Sequence, residues 1–220
     1  MKDKITIAID AMGGENSPDK NIHGLSLFLQ KNKNSKSCFF KLYGNEKLIN
    51  EKIKKYNISS SNISIHNTSS VVSDEETPLT AIRNSKNSSM WNSVNSQIDE
   101  DSDISLSAGN TGVLFVISRM LLKTIEGVSK PALAGLWPSK KGIIVVLDLG
   151  ANIECDEKNL TDFASMGSAL FKSLFDCDAV RVALLNVGLE ENKGNDVLKK
   201  TSAFLKKNES SNYEFCGYIE

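Results

Sequence analysis

Ser107-Ala108-Gly109-Asn110-Thr111-Gly112 stands between a short apolar run, Ile104 to Leu106, and a longer one of helical character, Val113 to Leu122. The hexapeptide reads as a turn from a strand into a helix, the place where α/β proteins put their chemistry. Its two glycines allow a tight turn and a close approach to a ligand. Ser107, Asn110 and Thr111 add short side-chain donors beside the free N–H groups of a helix start. An anion suits such a place, and so does a ligand-free turn with a polar cap. The hexapeptide alone leaves both open, and the flanking chain has to separate them.

Upstream, Lys4 to Ile9 is apolar and β-branched and ends at Asp10, followed by Gly13-Gly14 and by Ser17-Pro18 as N-cap and first helical residue. Cys38 to Tyr43 reads as a strand, Gly44-Asn45 as turn and cap, Glu46 to Tyr56 as an amphipathic helix and Ile63 to Ile65 as a third strand. Thr68 to Pro78 is a polar, acidic loop leading to helical stretches at Leu79 to Arg83 and Ser89 to Gln97, with the Ser- and Asn-rich segment Ser85 to Ser102 a candidate crossover. Downstream, Leu133 to Leu136 and Ile143 to Leu147 read as strands joined through Pro138 and Gly142. Leu160 to Phe175 reads as a helix, Val180 to Leu185 as a strand, Asp196 to Lys207 as a helix and Tyr213 to Cys216 as a last short strand. This alternation predicts one α/β domain over residues 1–220, built on a mostly parallel sheet covered on both faces. The stop at Glu220, just after a strand-like run, reads as a C-terminal truncation.

With 220 residues, 40% hydrophobic and 24% charged, the chain has the composition of a soluble globular protein. A net charge of −1 gives no footprint for nucleic acid. The cysteines Cys38, Cys155, Cys177 and Cys216 stand singly, which suits neither a disulfide framework nor a zinc site. No segment reads as a signal sequence or a membrane span.

Four predicted strand ends carry a carboxyl or amide beside glycine: Asp10 with Gly13-Gly14, the central hexapeptide, Asp148-Leu149-Gly150-Ala151-Asn152, and Asn186-Val187-Gly188 continuing to Glu190, Lys193 and Gly194. In a parallel sheet such ends share an edge, which favours a binding site over four unrelated turns. Nucleotide motifs are absent: neither glycine pair completes G-x-G-x-x-G, and Lys193-Gly194 reverses the P-loop order. His23 and His66 read as structural or surface residues, and Cys155 as a packing residue. Arg83 and Lys86, next to Ser88-Ser89, are suited to grip a phosphate or the acidic surface of a partner.

These segments resemble the PlsX family, the bacterial phosphate acyltransferases of phospholipid synthesis. The matching stretches are Ile7 to Gly14, Pro78 to Met90, Ser107 to Gly112, Lys130 to Ala134, Asp148 to Asn152 with Cys155, Phe163 to Gly167 and Asn186 to Gly194, in family order. Asn84-Ser85 stands where the family carries a more basic run, Leu189 where an acid is usual, and Tyr218 where an asparagine is expected.

The resemblance implies a three-layer α/β/α dimer, similar to isocitrate and isopropylmalate dehydrogenases and to phosphotransacetylases. It also implies transfer of a fatty acyl group from acyl carrier protein to inorganic phosphate, with no cofactor and no metal, in the cytoplasm and peripherally at the inner face of the membrane. Under it, Gly13, Gly14, Ser107, Gly109, Asn110, Thr111 and Gly112 bind phosphate or the developing oxyanion. Lys193 is a counter-charge, Asn152 and Asn186 are orienting donors, and Asp10 and Asp148 serve in positioning lysines or backbone or in proton transfer. Arg83, Lys86, Ser88 and Ser89 meet the carrier protein or phosphate. The rival readings are a phosphotransacetylase-like enzyme, a metal- and nicotinamide-dependent dehydrogenase of the same fold, and an inactive carrier-binding fragment.

Overall fold

In the computed structural model, which describes residues 4–32, 37–208 and 210–220, the chain divides into two compact units, Met1–Lys123 and Thr124–Glu220. The first unit runs β1 (Ile5–Asp10), α1 (Asp19–Lys31), β2 (Cys38–Gly44), α2 (Glu46–Lys55), β3 (Ile63–Asn67), α3 (Pro78–Asn84), α4 (Ser89–Ile98), β4 (Ile104–Leu106) and α5 (Thr111–Leu122). Its four strands lie in the order β3-β2-β1-β4, every neighbouring pair parallel.

The register explains the two faces of this sheet. Ile7, Phe40 and Ile63 are aligned across the strands, as are Ile9, Leu42 and Ile65. Because alternate residues of a strand share a face, these rows form one apolar surface, on which Ile22 and Leu25 of α1 and Ile49 of α2 bury themselves. The intervening rows, Ala8 with Lys41 and Ser64 and Asp10 with Tyr43 and His66, are small or polar. That face receives α4, which contacts β1, β2 and β4. The serines of α4 fit it: Ser89, Ser93 and Ser96 are buried, Ser105 Oγ donates to the Ser93 carbonyl at 2.7 Å, and Ser96 Oγ meets Ser102 Oγ at 2.6 Å. The helix read at Ser89 to Gln97, inside the candidate crossover segment, is thus a buried one whose small polar residues permit close packing on a polar sheet face. Met90 and Val94 on its other side join Val72, Val113 and Ile117 in a second core cluster.

Caps set several boundaries. Asn45 Oδ1 accepts from Leu48 N at 3.1 Å and starts α2, as the sequence suggests. Ser17 does not cap α1, which begins at Asp19. Its hydroxyl instead lies 2.5 and 2.6 Å from the carbonyls of Gly13 and Gly14, closing the preceding loop. His23 stacks on Tyr56 and His66 on Tyr43, each with ring centroids 4.8 Å apart.

The second unit holds β5 (Gly135–Ser139), β6 (Gly142–Val146), α6 (Glu157–Leu174), β7 (Arg181–Leu185), α7 (Asp196–Lys207) and β8 (Glu214–Ile219). β5 and β6 form an antiparallel hairpin turning at Lys140-Lys141, with Pro138 inside β5 opposite Ile143 rather than in the connection. β7 and β8 are parallel, and Val180, Leu184, Leu205 and Tyr213 pack with Ala164 of α6. α6 starts earlier than its apolar pattern suggests because Asp156 and Asn159 form a reciprocal capping box.

Asp19, at the start of α1, accepts from Lys55 at 2.9 Å and from the Tyr56 hydroxyl at 2.8 Å and pairs with Lys52 at 2.9 Å, tying α1 to α2. These three donors, Lys52 foremost, hold its carboxyl well below the usual carboxylate range. A carboxyl depressed by folding stabilises the folded state above its unfolded value, near 4, and loses that contribution as pH falls toward the folded value. Asp19→Asn is therefore expected to lower the thermal unfolding midpoint at pH 7, more in low than in high salt, with the difference closing below about pH 4. Melts of both proteins from pH 7 to pH 3 check this.

Candidate functional site

In the first unit the loops leaving β1 and β4 meet, because those strands are neighbours and parallel and both loops leave the same edge. Asp10, 1% exposed, ends β1. Its Oδ1 accepts from Met12 N at 3.2 Å, and its Oδ2 accepts from the Ser107 hydroxyl at 2.7 Å. Ser107 Oγ in turn accepts from Gly109 N at 3.1 Å. Asn21 of α1 donates its Nδ2 to the carbonyls of Ala11 and Gly13 at 3.0 and 2.9 Å.

The loops touch backbone to backbone, which is why glycine stands at both. A Cβ on Gly13 would lie 2.4 Å from Asp10 Oδ2 and 2.9 Å from both Gly109 N and Ser107 Oγ. Gly14 has φ +85°, and its Cβ would fall 2.5 Å from the Ala108 carbonyl oxygen. These glycines serve the meeting of two loops.

Beyond this contact, α5 begins. Asn110 is its N-cap: Oδ1 accepts from Val113 N at 3.1 Å, while Nδ2 donates to the carbonyls of Asp74 and Glu76 at 3.1 and 3.0 Å. The side-chain amide expected to hold phosphate is thus engaged in capping α5 and fastening the acidic loop. Thr111 and Gly112 occupy the first turn of α5, are exposed, and carry backbone N–H groups with no intrahelical acceptor. A Cβ on Gly112 would meet nothing closer than 3.5 Å. The chemistry open here is anion binding by oriented N–H groups at the positive end of a helix.

Arg83 and Lys86 are exposed. Ser88 and Ser89 do not join them on the surface: Ser88, 1% exposed, caps α4 by accepting from Trp91 N at 3.1 Å, and Ser89 is fully buried. A buried cap cannot touch a partner protein, so the basic pair stands without the serines.

In the second unit, Asp148 and Asn152 brace one loop. Asp148 accepts from Leu133 N and Asn152 N, both at 2.7 Å, and from Asn152 Nδ2 at 3.1 Å, and the same Nδ2 reaches the Pro131 carbonyl at 2.8 Å. Burial pushes the Cys155 thiol up, which opposes thiolate formation. Asn186, 8% exposed, donates Nδ2 to the Lys193 carbonyl at 3.3 Å. Lys193 Nζ lies 3.0 Å from Glu190 Oε1, and this pairing holds the Glu190 carboxyl down. The counter-charge read from the sequence is thus already matched by Glu190, a partner that the three-residue spacing in a loop did not announce.

Among the described residues no cluster of three or more His, Cys, Asp or Glu is placed to hold a metal ion, and no helix is long and apolar enough to cross a membrane. A cavity of about 480 Å³ in the second unit is lined by Asp178, Leu205 and Tyr213 among others, and one of about 330 Å³ in the first by Ser26, Tyr56 and Asn62 among others. Neither contains a residue of the loops described above.

The comparisons with known proteins agree with the sequence resemblance. The phosphate acyltransferase of Pelagibacter ubique is 48% identical over 98% of this chain, and that of Neorickettsia sennetsu 40% identical over 99%. The chain spans 63% of the length of each. The fold resembles the EutD phosphotransacetylase of Staphylococcus aureus, with a TM-score of 0.67 at 16% identity over 100% of this chain and 69% of that one. A Streptococcus pyogenes phosphotransacetylase gives 0.66 at 13% identity, covering 96% and 67%. At such identities the likeness speaks for the fold alone. The family model described as fatty acid synthesis protein matches residues 5–220, and with the relatives above it places this chain in that family, the PlsX family of the phosphate acyltransferases.

Proposed function

We propose that the protein to which this chain belongs transfers a fatty acyl group from acyl carrier protein to inorganic phosphate, releasing acyl phosphate for phospholipid synthesis. The observation that carries the reading to this chain's own residues is the start of α5: exposed first-turn N–H groups of Thr111 and Gly112 at the edge where the β1 and β4 loops meet. Relatives named phosphate acyltransferase at 48% and 40% identity support the choice of reaction.

In this reading a phosphate oxygen attacks the thioester carbonyl carbon. The new C–O bond forms as the C–S bond breaks, and the carrier leaves as its thiol, taking up the proton that hydrogenphosphate loses on becoming acyl phosphate. Phosphate is already an anion and a thioester already reactive, so orientation and charge stabilisation suffice. Thr111 and Gly112 hold phosphate or the developing oxyanion, while Asn110 fixes the helix end that presents them. Arg83 and Lys86 face the acidic carrier. In the second unit, Asp148, Asn152, Asn186 and Lys193 are the further candidate catalytic groups, with Lys193 released from Glu190 when an anion competes for it. The wider assignment includes a three-layer α/β/α homodimer, working in the cytoplasm and peripherally at the membrane.

Gly112 offers a clean test because its position accommodates a Cβ at ordinary contact distance. Gly112→Val is expected to keep the circular dichroism and melting cooperativity of the parent and to raise the phosphate KM for acyl phosphate formation by about tenfold or more, a loss of ~1.4 kcal/mol. A Cβ in the first turn leans toward the helix N-terminus and crowds the N–H groups. An unchanged phosphate KM in the folded variant would remove the α5 start from the site.

Reversing both charges, Arg83→Glu with Lys86→Glu, is expected to raise the KM for the carrier thioester and spare that for phosphate. Equal loss for both substrates would place the pair in the phosphate site.

A further inference from the structure

The buried carboxyl of Asp10 ends a strand, is 1% exposed and sits in a loop meant to serve an anion, a costly arrangement unless it has a task. Its surroundings show one. Of its two oxygens, Oδ1 is taken by Met12 N of its own loop, and Oδ2 takes the hydroxyl proton of Ser107 from the other loop. A serine hydroxyl has a single proton. Once that proton points to Asp10, the Ser107 oxygen is left as an acceptor, and it is filled by Gly109 N. Asp10, Ser107 and Gly109 form a directed chain of hydrogen bonds in which each link fixes the next.

We propose that Asp10 is a positioning residue for the anion site, acting through Ser107. It orients the Ser107 hydroxyl inward, Ser107 binds the Gly109 N–H, and the Ser107–Gly112 turn is thereby locked so that the anion is met by Thr111 and Gly112, not by Ser107 or Gly109. This rests on the reading of the α5 start as a phosphate site and reassigns two residues within it. The packing adds a reason for rigidity: Gly13 and Gly109 are pressed together, with a Gly109 Cβ falling 3.3 Å from Gly13 Cα and 2.9 Å from Met90 Cε. With no Cβ to separate the loops, the Asp10–Ser107 bond is the side-chain tie between them at this point.

A direct ligand and a positioning pair differ in how their mutations combine. Residues acting in one chain lose their effect once, whereas independent contacts multiply. The test measures KM for phosphate, KM for the carrier thioester and kcat in Ser107→Ala, Asp10→Asn, the double variant and Ser107→Thr. Circular dichroism and melts confirm folding. Each single variant is expected to raise the phosphate KM about three- to tenfold, the scale of one lost hydrogen bond, and to leave the thioester KM unchanged. The double variant should be no worse than the poorer single one, and Ser107→Thr, which keeps the hydroxyl, should restore most of the loss.

Multiplying effects would make Ser107 an independent ligand and overturn the proposal, as would a phosphate KM that ignores Asp10→Asn. If Asp10→Asn fails to fold, Ser107→Ala against Ser107→Thr still decides: no difference between them in phosphate KM also overturns it. Gly112→Val in the same series separates this failure from that of the site itself. A normal phosphate KM there sinks the phosphate site, while a raised one with uncoupled Asp10 and Ser107 sinks only the positioning role.

Discussion

The first unit depends on one close approach, that of the β1 loop to the β4 loop. Pairing of Ile7 to Ile9 with Ile104 to Leu106 brings both chain exits to one edge, and from there sterics decide the sequence. Gly13 has no space for a Cβ, Gly14 needs a left-handed backbone under the Ala108 carbonyl, and Asp10 and Ser107 bridge the seam. α5 then starts where its first-turn N–H groups face outward, because Asn110 holds both the helix end and the loop that crosses it. The site's character follows: backbone donors at a helix start are fixed dipoles that need no reorganisation when an anion arrives.

The two faces of the sheet divide the labour. Burial of Phe40 and Leu42, with the partly buried isoleucines beside them, under α1 and α2 supplies the apolar stabilisation, each fully buried side chain contributing about 1.5–3 kcal/mol. The opposite face, with Ala8, Asp10, Lys41, Tyr43, Ser64 and His66 on it, admits a helix only if that helix brings small hydrogen-bonding residues. α4 does so with its serines, and Lys41 pairs with Asp101 at 3.3 Å just beyond the helix end. Because α4 packs closely, Met90 reaches under Gly109, so the polar face and the turn at the candidate site are mechanically linked.

Much of this was legible in the sequence wherever a single local cause decides structure. β4 and α7 fall where the apolar pattern puts them, and Asn45 caps as its position suggests, because strand alternation and asparagine capping are properties of a few neighbouring residues. The serine-rich helix was not legible as buried, since its burial depends on a polar sheet face formed by residues from distant strands. The Asn110 amide looked free because its acceptors, the Asp74 and Glu76 carbonyls, arrive from a loop more than thirty positions away. Lys193 looked like a spare charge until the fold of its loop brought Glu190 to it. Ser88 carried the right chemistry for a surface contact and was used as a cap. The resemblance to a family supplied the reaction; the geometry redistributed the roles within the turn.

The central claim is that an anion is received by the backbone at the start of α5. The direct measurement is a titration of the isotopically labelled protein with inorganic phosphate, following backbone amide chemical shifts, with chloride at matched ionic strength as control. The account predicts saturable shifts led by the Thr111 and Gly112 amides, with Gly109 moving little because its N–H stays on Ser107. Shifts concentrated elsewhere, or none beyond the chloride control at the α5 start, would contradict it.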